Sequence, residues 1–425
     1  MWGCLRLEHR LGPAQVPEAL WSRLRTSFES YRNGSIPQPV AGRLDLAVSD
    51  TEIKVYEYNA DSASCLYECG YYQGRWAEAV GLTLGTCPGE GLFDALVATW
   101  AKAGLPAGAC LHVMYDDNQE EAYHAAYMCS AIAKAGIRTK MIKCLGGLHF
   151  SDSEPRQVVD ADGEAIAYVW KTWSWETVFD VLAASADGTD HRMKPALGPS
   201  LADVLLDERV TVWEPLWTTI TNNKAILPTL WEMFPNHPYL LRCEFELSDE
   251  LKNIADGYVS KPIVGRCGSN ITMHTSTGGI VAHLGGQFVQ KNVVYQQTRA
   301  LPRVDGMSVL VCPWAVDGKY GGIVIRCDEG LITKCDSALE CLRVLPTEEF
   351  VRQLSTRASE GEGLVRSSST CALSLKKRVS CAHCRCPHLK AYNDAWSAKC
   401  AAGLAAADCP IAAGSAADCP ISTGW

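Results

Sequence analysis

The sequence lacks an apolar run long enough to cross a membrane. Its longest dense apolar stretch, SVLVCPWAV at residues 308–316, falls far short of the roughly 20 residues that a membrane helix needs. An apolar signal-peptide core is also missing, because Arg6, Glu8 and Arg10 interrupt the first residues. We therefore expect a cytoplasmic protein that neither crosses nor binds a membrane.

An excess of positive charge and a disulfide framework are missing as well. The chain has 39 Lys and Arg against 48 Asp and Glu, a net charge of −9, which disfavours a nucleic-acid binder because phosphates require a basic face. The 20 cysteines show no framework spacing before Cys335, so we interpret those as reduced thiols in the core. A small-molecule enzyme with about two or three domains fits this composition.

Hydrophobic periodicity predicts a chain of mixed α and β structure. Residues 17–32, 62–80 and 92–103 have helical spacing, and residues 110–175 alternate strands with a helix at 120–135, as in α/β domains. A second helix is expected at 222–234, with Asn222 as a cap and a bend or break at Pro228. Short strands typical of an antiparallel lid are predicted at 257–265, 271–275, 279–284, 293–300, 307–316 and 320–326. The predicted fold class is α+β.

Residues 41–60 have the alternation of a β-hairpin around a polar turn. A turn centred on Thr51 would place Asp45 opposite Glu57 and Arg43 opposite Asn59. Two opposed carboxylates repel each other, and a divalent cation would remove that repulsion. Oxygen ligands of this kind suit magnesium. Spacing alone leaves a solvated polar strand face equally open.

Two further segments could bind an anion. In NADSAS, the side chains of Asp61, Ser62 and Ser64 are expected to cap the next helix, whose backbone N–H groups would face the anion. The glycine-rich stretch KPIVGRCGSN, beginning at Lys261, could cover phosphates. A lone glycine loop of this kind is more often a plain turn.

Several segments together resemble a known family. They run in order from about residue 14 to about residue 340 and are GRLD, KVYEYNADSASCLYE, VWKTWSWET, EPLWT, NNKAILPTLWEMFPNHPYLL, KPIVGRCGSN, VYQQ and GGIVIR. This set resembles the synthetase domain of the glutathionylspermidine synthetase family, which trypanothione synthetase shares. The resemblance implies an ATP-grasp fold that uses ATP and two magnesium ions. It also implies a ligase that joins the glycine carboxylate of glutathione to a primary amine of spermidine through an acyl phosphate.

The resemblance also implies a role for individual residues. The magnesium ligands would be Asp45, Glu57 and Asn59. ATP would contact Arg43, Asp45, Lys224, Lys261, Cys267, Gln296, Gln297, Leu331 and Ile332. Glutathione would contact Arg43, Ser62, Glu121 and Thr172, and spermidine would contact Glu120. Arg43, Arg326 and Ser64 would act on the reacting groups. Glu120 and Glu121 could instead be ordinary first-turn charges of a helix.

The chain departs from the family pattern at both ends. The resemblance begins almost at Met1, so we expect no amidase domain and no amidase activity. We place the synthetase domain at 1–345 and a mostly disordered tail at 346–425, where repeats such as AADCPIAAGS and AADCPISTGW indicate low complexity. Within that tail, CAHCRCPH has a zinc-like C-x-x-C, but no second pair follows at finger spacing, which favours a cysteine-rich disordered segment.

Two alternatives remain beside the leading function. Trypanothione synthetase would add a second glutathione, and a non-catalytic remnant would bind nucleotide alone. The sequence also predicts that Glu57→Ala abolishes turnover and leaves the fold intact or slightly stabilised, because the repulsion with Asp45 would disappear.

Overall fold

The structure is a computed structural model, and it describes residues 12, 14–35, 40–82, 84–187, 198–289, 291–346 and 348. These residues fall into two compact units. Unit 1 contains the described residues up to 93, those at 173–187 and those from 214 onward, and unit 2 contains 94–172 and 198–213. The predicted tail at 346–425, including CAHCRCPH, lies outside the described residues apart from 346 and 348.

The helices of the described residues follow the predicted periodicity in most places. In chain order they are α1 (Trp21–Arg32), α2 (Gln73–Ala79), α3 (Leu92–Trp100), α4 (Gln119–Lys134), α5 (Trp175–Asp187), α6 (Leu201–Leu205), α7 (Thr218–Asn222), α8 (Ile226–Met233) and α9 (Asp249–Lys252). A 3₁₀ turn at Glu18–Leu20 leads into α1, and a π-helical turn at Glu68–Tyr72 leads into α2.

The strands of the described residues include those that alternation predicts and also shorter ones that it did not predict, such as those at 243–244, 303–304 and 338–340. They are β1 (Ala41–Val48), β2 (Ile53–Asn59), β3 (Cys110–Tyr115), β4 (Arg138–Lys143), β5 (His149–Phe150), β6 (Val158–Val159), β7 (Tyr168–Lys171), β8 (Thr211–Trp213), β9 (Cys243–Glu244), β10 (Tyr258–Pro262), β11 (Ile271–His274), β12 (Ile280–Leu284), β13 (Val293–Gln297), β14 (Arg303–Val304), β15 (Met307–Val316), β16 (Lys319–Asp328) and β17 (Ala338–Glu340). All six strands predicted between 257 and 326 are present.

Unit 1 is built on two antiparallel sheets. The first has the order β17-β16-β15-β1-β2, with β14 paired to β15. The second has the order β12-β11-β10-β13-β9. On the first sheet Val309, Ile325, Cys327 and Ala338 form a buried apolar cluster. The long strands β15 and β16 pair with each other, and β15 also pairs with β1 of the β1–β2 hairpin.

Unit 2 is an α/β domain with a parallel sheet in the order β4-β3-β7-β8. The central strand β3 is buried along almost its whole length, as expected when a parallel sheet is covered on both faces. Helix α4 connects β3 to β4, and its first turn is capped by the side chain of Asn118, which accepts from Glu120 N. The α/β order predicted for 110–175 is confirmed, and the mixed α+β class holds for the described chain.

The predicted helix at 222–234 is wrong in its details. Asn222 ends α7 and caps nothing, while α8 begins only at Ile226. Pro228 does not break α8, because it is the third residue of that helix, where a backbone N–H would have no intrahelical acceptor. No helix in the described part of the chain combines the length and the apolar composition that a membrane span requires.

Candidate functional site

The β1–β2 hairpin has the predicted pairing at its functional end. Asp45 lies opposite Glu57 and Arg43 opposite Asn59. Near the turn the register differs, since Val48 pairs with Ile53, and a bulge between Asp45 and Leu46 restores the predicted pairs. A bulge shifts the pairing by one residue and so re-aims the side chains that follow it. The predicted pairing is therefore correct at the site, but it depends on this bulge, which strand alternation does not predict.

Arg43 and Asp45 form a buried, bidentate ion pair. Arg43 Nε donates to Asp45 Oδ1 at 2.7 Å and its Nη2 donates to Asp45 Oδ2 at 3.1 Å. Its remaining Nη1 donates to the carbonyl of Ser64 at 2.6 Å and to the Ser64 hydroxyl at 3.2 Å. Both charged side chains are 5% exposed. The guanidinium is thus held rigidly between β1 and the segment that contains Ser64.

Glu57 pairs with a lysine from another part of unit 1. Lys224 Nζ lies 3.1 Å from Glu57 Oε2 and also donates to the carbonyl of Gly265 at 3.1 Å. Lys261 Nζ donates to the carbonyl of Tyr56 at 2.9 Å. Burial alone would raise the pKa of Glu57, but the charges of Lys224 and Lys261 lower it to about 2. Burial lowers the pKa of Lys261 to about 8, against the opposing attraction of Glu57.

The two opposed carboxylates are neutralised by cations of the protein itself. The expected repulsion between Asp45 and Glu57 is offset without any metal, because each carboxylate has its own cation. Three cations, Arg43, Lys224 and Lys261, face these two carboxylates, so the cluster carries one positive charge in excess. A surplus of this sign in a buried site favours an anionic ligand such as a phosphate.

The donor set still fits a hard divalent cation. Asp45, Glu57 and Asn59 carry oxygen donors of the type that magnesium prefers. The Asn59 Nδ2 is buried, and no acceptor for it exists in the part of the chain that the structure describes. This N–H group cannot ligate a cation, but it can donate to an oxygen of a bound phosphate, which leaves Oδ1 of the same amide as the metal donor. Within the same described ranges no group of three or more His, Cys, Asp or Glu side chains is arranged to hold a metal ion. The magnesium site therefore stays a prediction.

The serines after the hairpin do not cap the next helix. Ser62 accepts a hydrogen bond from Arg266 at 2.9 Å, and Ser64 accepts from Arg43. Asp61 accepts from Trp175 N at 2.7 Å, and so caps α5, a distant helix. The expectation of local capping is wrong, because tertiary contacts use these side chains.

The glycine-rich loop after β10 lies against the segment that follows β16. Gly268 has φ +69°, and a Cβ placed there would lie 2.4 Å from the carbonyl oxygen of Thr333 and 2.7 Å from Ile332. Cys267 also has a positive φ, +52°, and is exposed. Only glycine allows so close an approach of two backbones. Ile332 therefore lies beside the loop, whereas Leu331 is 42% exposed, and the contact of both with ATP stays a prediction.

The second sheet brings Lys261 and Gln296 to one face. Val259 pairs with Gln296 and Lys261 with Val294, so alternation places both polar side chains on the same side. Gln296 is 1% exposed, and among the described residues its buried Oε1 has no donor. Gln297 points to the other face and donates to Asp256 at 3.4 Å.

Arg326 comes from β16, where it pairs with Leu310 of β15. Its guanidinium donates to the carbonyl of Lys334. Arg326 and Arg43 both act electrostatically on Cys65, whose pKa is raised to about 11 chiefly by burial. Both predicted arginines are therefore close enough to Cys65 for their charges to act on it, and Arg43 also contacts the adjacent Ser64.

The remaining predicted residues belong to unit 2. Thr172 follows β7 and its hydroxyl accepts from Asp116 N at 3.4 Å. Glu120 and Glu121 are in the first turn of α4, where Glu120 is exposed and Glu121 is partly buried. Thr172 and the acidic pair thus follow neighbouring strands, β7 and β3, at the carboxyl ends of the parallel sheet, where ligands bind in open α/β folds.

Two contacts at the site could not be predicted from sequence patterns. Arg266, inside KPIVGRCGSN, binds Ser62. Glu214, inside EPLWT, accepts hydrogen bonds from Val40 N and Ala41 N at 3.0 and 3.2 Å and so fixes the start of β1. Both residues lie in segments that carry the resemblance, but only the tertiary contacts reveal what they bind.

The chain is similar to known proteins over most of its length. The family profile described as glutathionylspermidine synthase preATP-grasp matches residues 5–343. The bifunctional glutathionylspermidine synthetase/amidase of Escherichia coli (strain K12) is 40% identical over 349 residues, which cover 80% of this chain and 54% of that protein. The trypanothione synthetase of Crithidia fasciculata is 38% identical over 345 residues, covering 79% of this chain and 51% of that protein. The chain spans about half the length of these relatives. Because the family profile matches most of its length, the chain belongs to the glutathionylspermidine synthase family.

Proposed function

We propose that the chain is an ATP- and magnesium-dependent ligase of the ATP-grasp type. It joins the glycine carboxylate of glutathione to a primary amine of spermidine. The observation that carries this proposal is the cluster on the hairpin, where Asp45 and Glu57 lie opposite each other and are surrounded by three cations. The relatives' names support the substrates, since they describe glutathionylspermidine and trypanothione synthetases.

The first step transfers the γ-phosphoryl group of ATP to the glycine carboxylate, which forms an acyl phosphate and releases ADP. Such a transfer depends on positioning and on neutralising charge. Lys224 and Lys261 would hold the phosphates, and Arg43, fixed by Asp45, would face the carboxylate near Ser64. Magnesium bound by Asp45, Glu57 and Asn59 would supply further charge neutralisation on the phosphate oxygens.

In the second step the spermidine amine attacks the acyl carbon, loses a proton and displaces phosphate, which leaves an amide. Glu120 would hold an ammonium group of spermidine, while Glu121 and Thr172 would contact glutathione. An acidic pair in the first turn of α4 is suited to a polyamine by charge, because spermidine is a multiple cation.

The proposal is tested by measuring ADP release with purified protein, ATP, magnesium, glutathione and spermidine, and by omitting each substrate in turn. We expect release that requires both glutathione and the amine, and a product whose mass equals one glutathione plus one spermidine minus water. Protein that binds ATP with magnesium but shows no such release would be a nucleotide-binding protein and not a ligase.

A second function in the same class is favoured by one observation, the 38% identity to a trypanothione synthetase. That reaction adds a second glutathione to the first product. The same assay separates the two functions, because a bis-glutathionyl product would accumulate beside the mono-conjugate in one case only.

A further inference from the structure

The end of β2 is tied to the segment that carries Lys224 by a partly buried side-chain network. We propose that Asn222 and Glu176, to which the resemblance assigns no role, are positioning residues of the nucleotide site. They set the position of Asn59 relative to Lys224. This inference rests on the proposed function, because it assigns the network to the same ATP and magnesium site.

The central contact is one hydrogen bond. Ala60 N donates to Asn222 Oδ1 at 3.0 Å. Ala60 directly follows Asn59, a predicted magnesium ligand, and Asn222 precedes Lys224 by two residues on the chain. Lys224 in turn pairs with Glu57 of the same strand. The side-chain amide of Asn222 therefore connects β2, which carries predicted magnesium ligands, to the segment that carries Lys224, a predicted phosphate-binding residue.

Glu176 fixes the orientation of that amide. Asn222 Nδ2 donates to Glu176 Oε2 at 3.5 Å, and the Thr219 hydroxyl donates to Glu176 Oε1 at 3.5 Å. An ionised carboxylate only accepts hydrogen bonds, so it requires the NH₂ side of the asparagine. The amide oxygen must then face Ala60 N. Glu176 is 6% exposed, and it lies in the first turn of α5, where the helix dipole favours a negative charge.

A second tie reinforces the first. Asp61, which is 2% exposed, accepts from Trp175 N at 2.7 Å, and Trp175 directly precedes Glu176. The two residues that follow Asn59 are therefore both attached, Ala60 through its backbone N–H to the end of α7 and Asp61 through its side chain to the beginning of α5. Because neither Asn222 nor Glu176 is among the residues predicted to touch a substrate, their effect must pass through Asn59 and Lys224.

Exchanging the amide of Asn222 with the carboxylate of Glu176 tests this arrangement. Asn222→Asp removes the N–H donor to Glu176 and sets a second carboxylate against it. We expect their repulsion to turn the new side chain away from Ala60 N, with Mg·ATP affinity and kcat each falling by about tenfold to a hundredfold. The double variant Glu176→Gln/Asn222→Asp swaps amide and carboxylate. The new amide at 176 can then donate to the new carboxylate at 222, which accepts again from Ala60 N, and we expect affinity and kcat to return to within about threefold of wild type.

Thr221→Ala is the matched control. Its hydroxyl donates to Thr218 O at 2.9 Å on the same helix, outside the network, so its Kd and kcat should equal those of the wild type. Melting temperatures of all variants without ligand report on folding. A folded double variant as impaired as Asn222→Asp would overturn the proposal, and so would an Asn222→Asp protein with unchanged Kd and kcat.

The binding measurement keeps this inference separate from the proposed function. If the wild type binds Mg·ATP but releases no ADP with glutathione and spermidine, the ligase proposal fails. The Kd values of the variants then still support or overturn the positioning role. A wild type that does not bind Mg·ATP at all would overturn both.

Discussion

Glu57 is held by cations from two different segments of unit 1, and this changes what its removal should do. It pairs with Lys224 and is also close to Lys261, which is 3% exposed. The sequence predicted that Glu57→Ala would leave the ligand-free protein as stable or slightly more stable. The structure contradicts the premise of that expectation, since each carboxylate has its own cation, and the substitution would leave the buried Lys224 and Lys261 without the Glu57 carboxylate.

We therefore expect Glu57→Ala to lower the free energy of unfolding by about 2 to 4 kcal/mol without ligand, in addition to abolishing turnover. Urea unfolding at neutral pH measures the loss. Glu78→Ala serves as a control, since Glu78 is in an exposed pair with Arg75 and should cost less than about 0.5 kcal/mol. An unchanged midpoint for Glu57→Ala would show that the ion pair contributes nothing to stability.

The same carboxyl predicts a response to acid. Its pKa is about 2 in the folded protein against an ordinary 4.5, so its stabilisation is complete above pH 4.5. That stabilisation should disappear as the pH falls towards 2, because the unfolded chain takes up the proton first. Comparing wild type with Glu57→Ala over this interval isolates the contribution, and the difference between the two proteins should shrink towards the acid end.

Lys261 predicts that stability also rises with pH at the alkaline end. Its pKa is about 8 when folded and 10.5 ordinarily, so between these values the folded protein has released a proton that the unfolded chain still holds. Stability of the wild type should therefore rise by about 2 to 3 kcal/mol relative to Lys261→Met between these pH values. Parallel dependence of the two proteins on pH, measured by urea unfolding without ligand, would contradict a depressed pKa.

At the scale of elements, the site depends on how the loop after β10 meets the segment after β16. Gly268 is required there for two reasons: its φ is positive, and the backbone oxygen of Thr333 lies 2.4 Å from the position that a Cβ would take. A turn glycine elsewhere in the same sheet, Gly278, has φ +83° with no atom within 4 Å of its Cβ position. Comparing substitutions at Gly268 and Gly278 therefore separates the effect of backbone strain from the effect of steric overlap.

We expect Gly278→Ala to cost about 1 kcal/mol of stability and to leave Mg·ATP binding unchanged. Gly268→Ala should carry the same backbone cost and also push the loop from residues 332–333, weakening Mg·ATP binding at least about tenfold. Calorimetric titration with Mg·ATP measures both variants. Equal affinities for the two would show that the loop contact does not shape the nucleotide site.

At the scale of the whole molecule, the net charge of −9 bears on the two substrates differently. A negative protein attracts a polyamine and repels glutathione, and added salt screens both effects over a Debye length of about 10 Å at 0.1 M. We expect KM for spermidine to rise several-fold between about 20 mM and about 200 mM salt, while KM for glutathione does not rise. Steady-state kinetics at fixed pH test this, and a KM for spermidine independent of salt would contradict electrostatic attraction.

The sequence by itself determined the elements and one cross-strand geometry. Strand and helix periods located the β1–β2 hairpin, four of the five strands of the second sheet and α4, because burying one face imposes a period on the residues. The opposition of Asp45 and Glu57 was also predicted. The assignment of ATP and substrate residues came from the family resemblance, and their contacts with ligands remain predictions.

Only the tertiary structure decided which partner each polar side chain takes. Lys224 is far from Glu57 along the chain and yet neutralises it, Asp61 caps α5 instead of the next helix, and Asn222 binds Ala60 instead of capping α8. Local patterns specify which face of an element is buried, but a buried charge or amide must find its partner wherever the fold brings one. For that reason the opposed carboxylates were predictable from the sequence, and the cations that hold them were not.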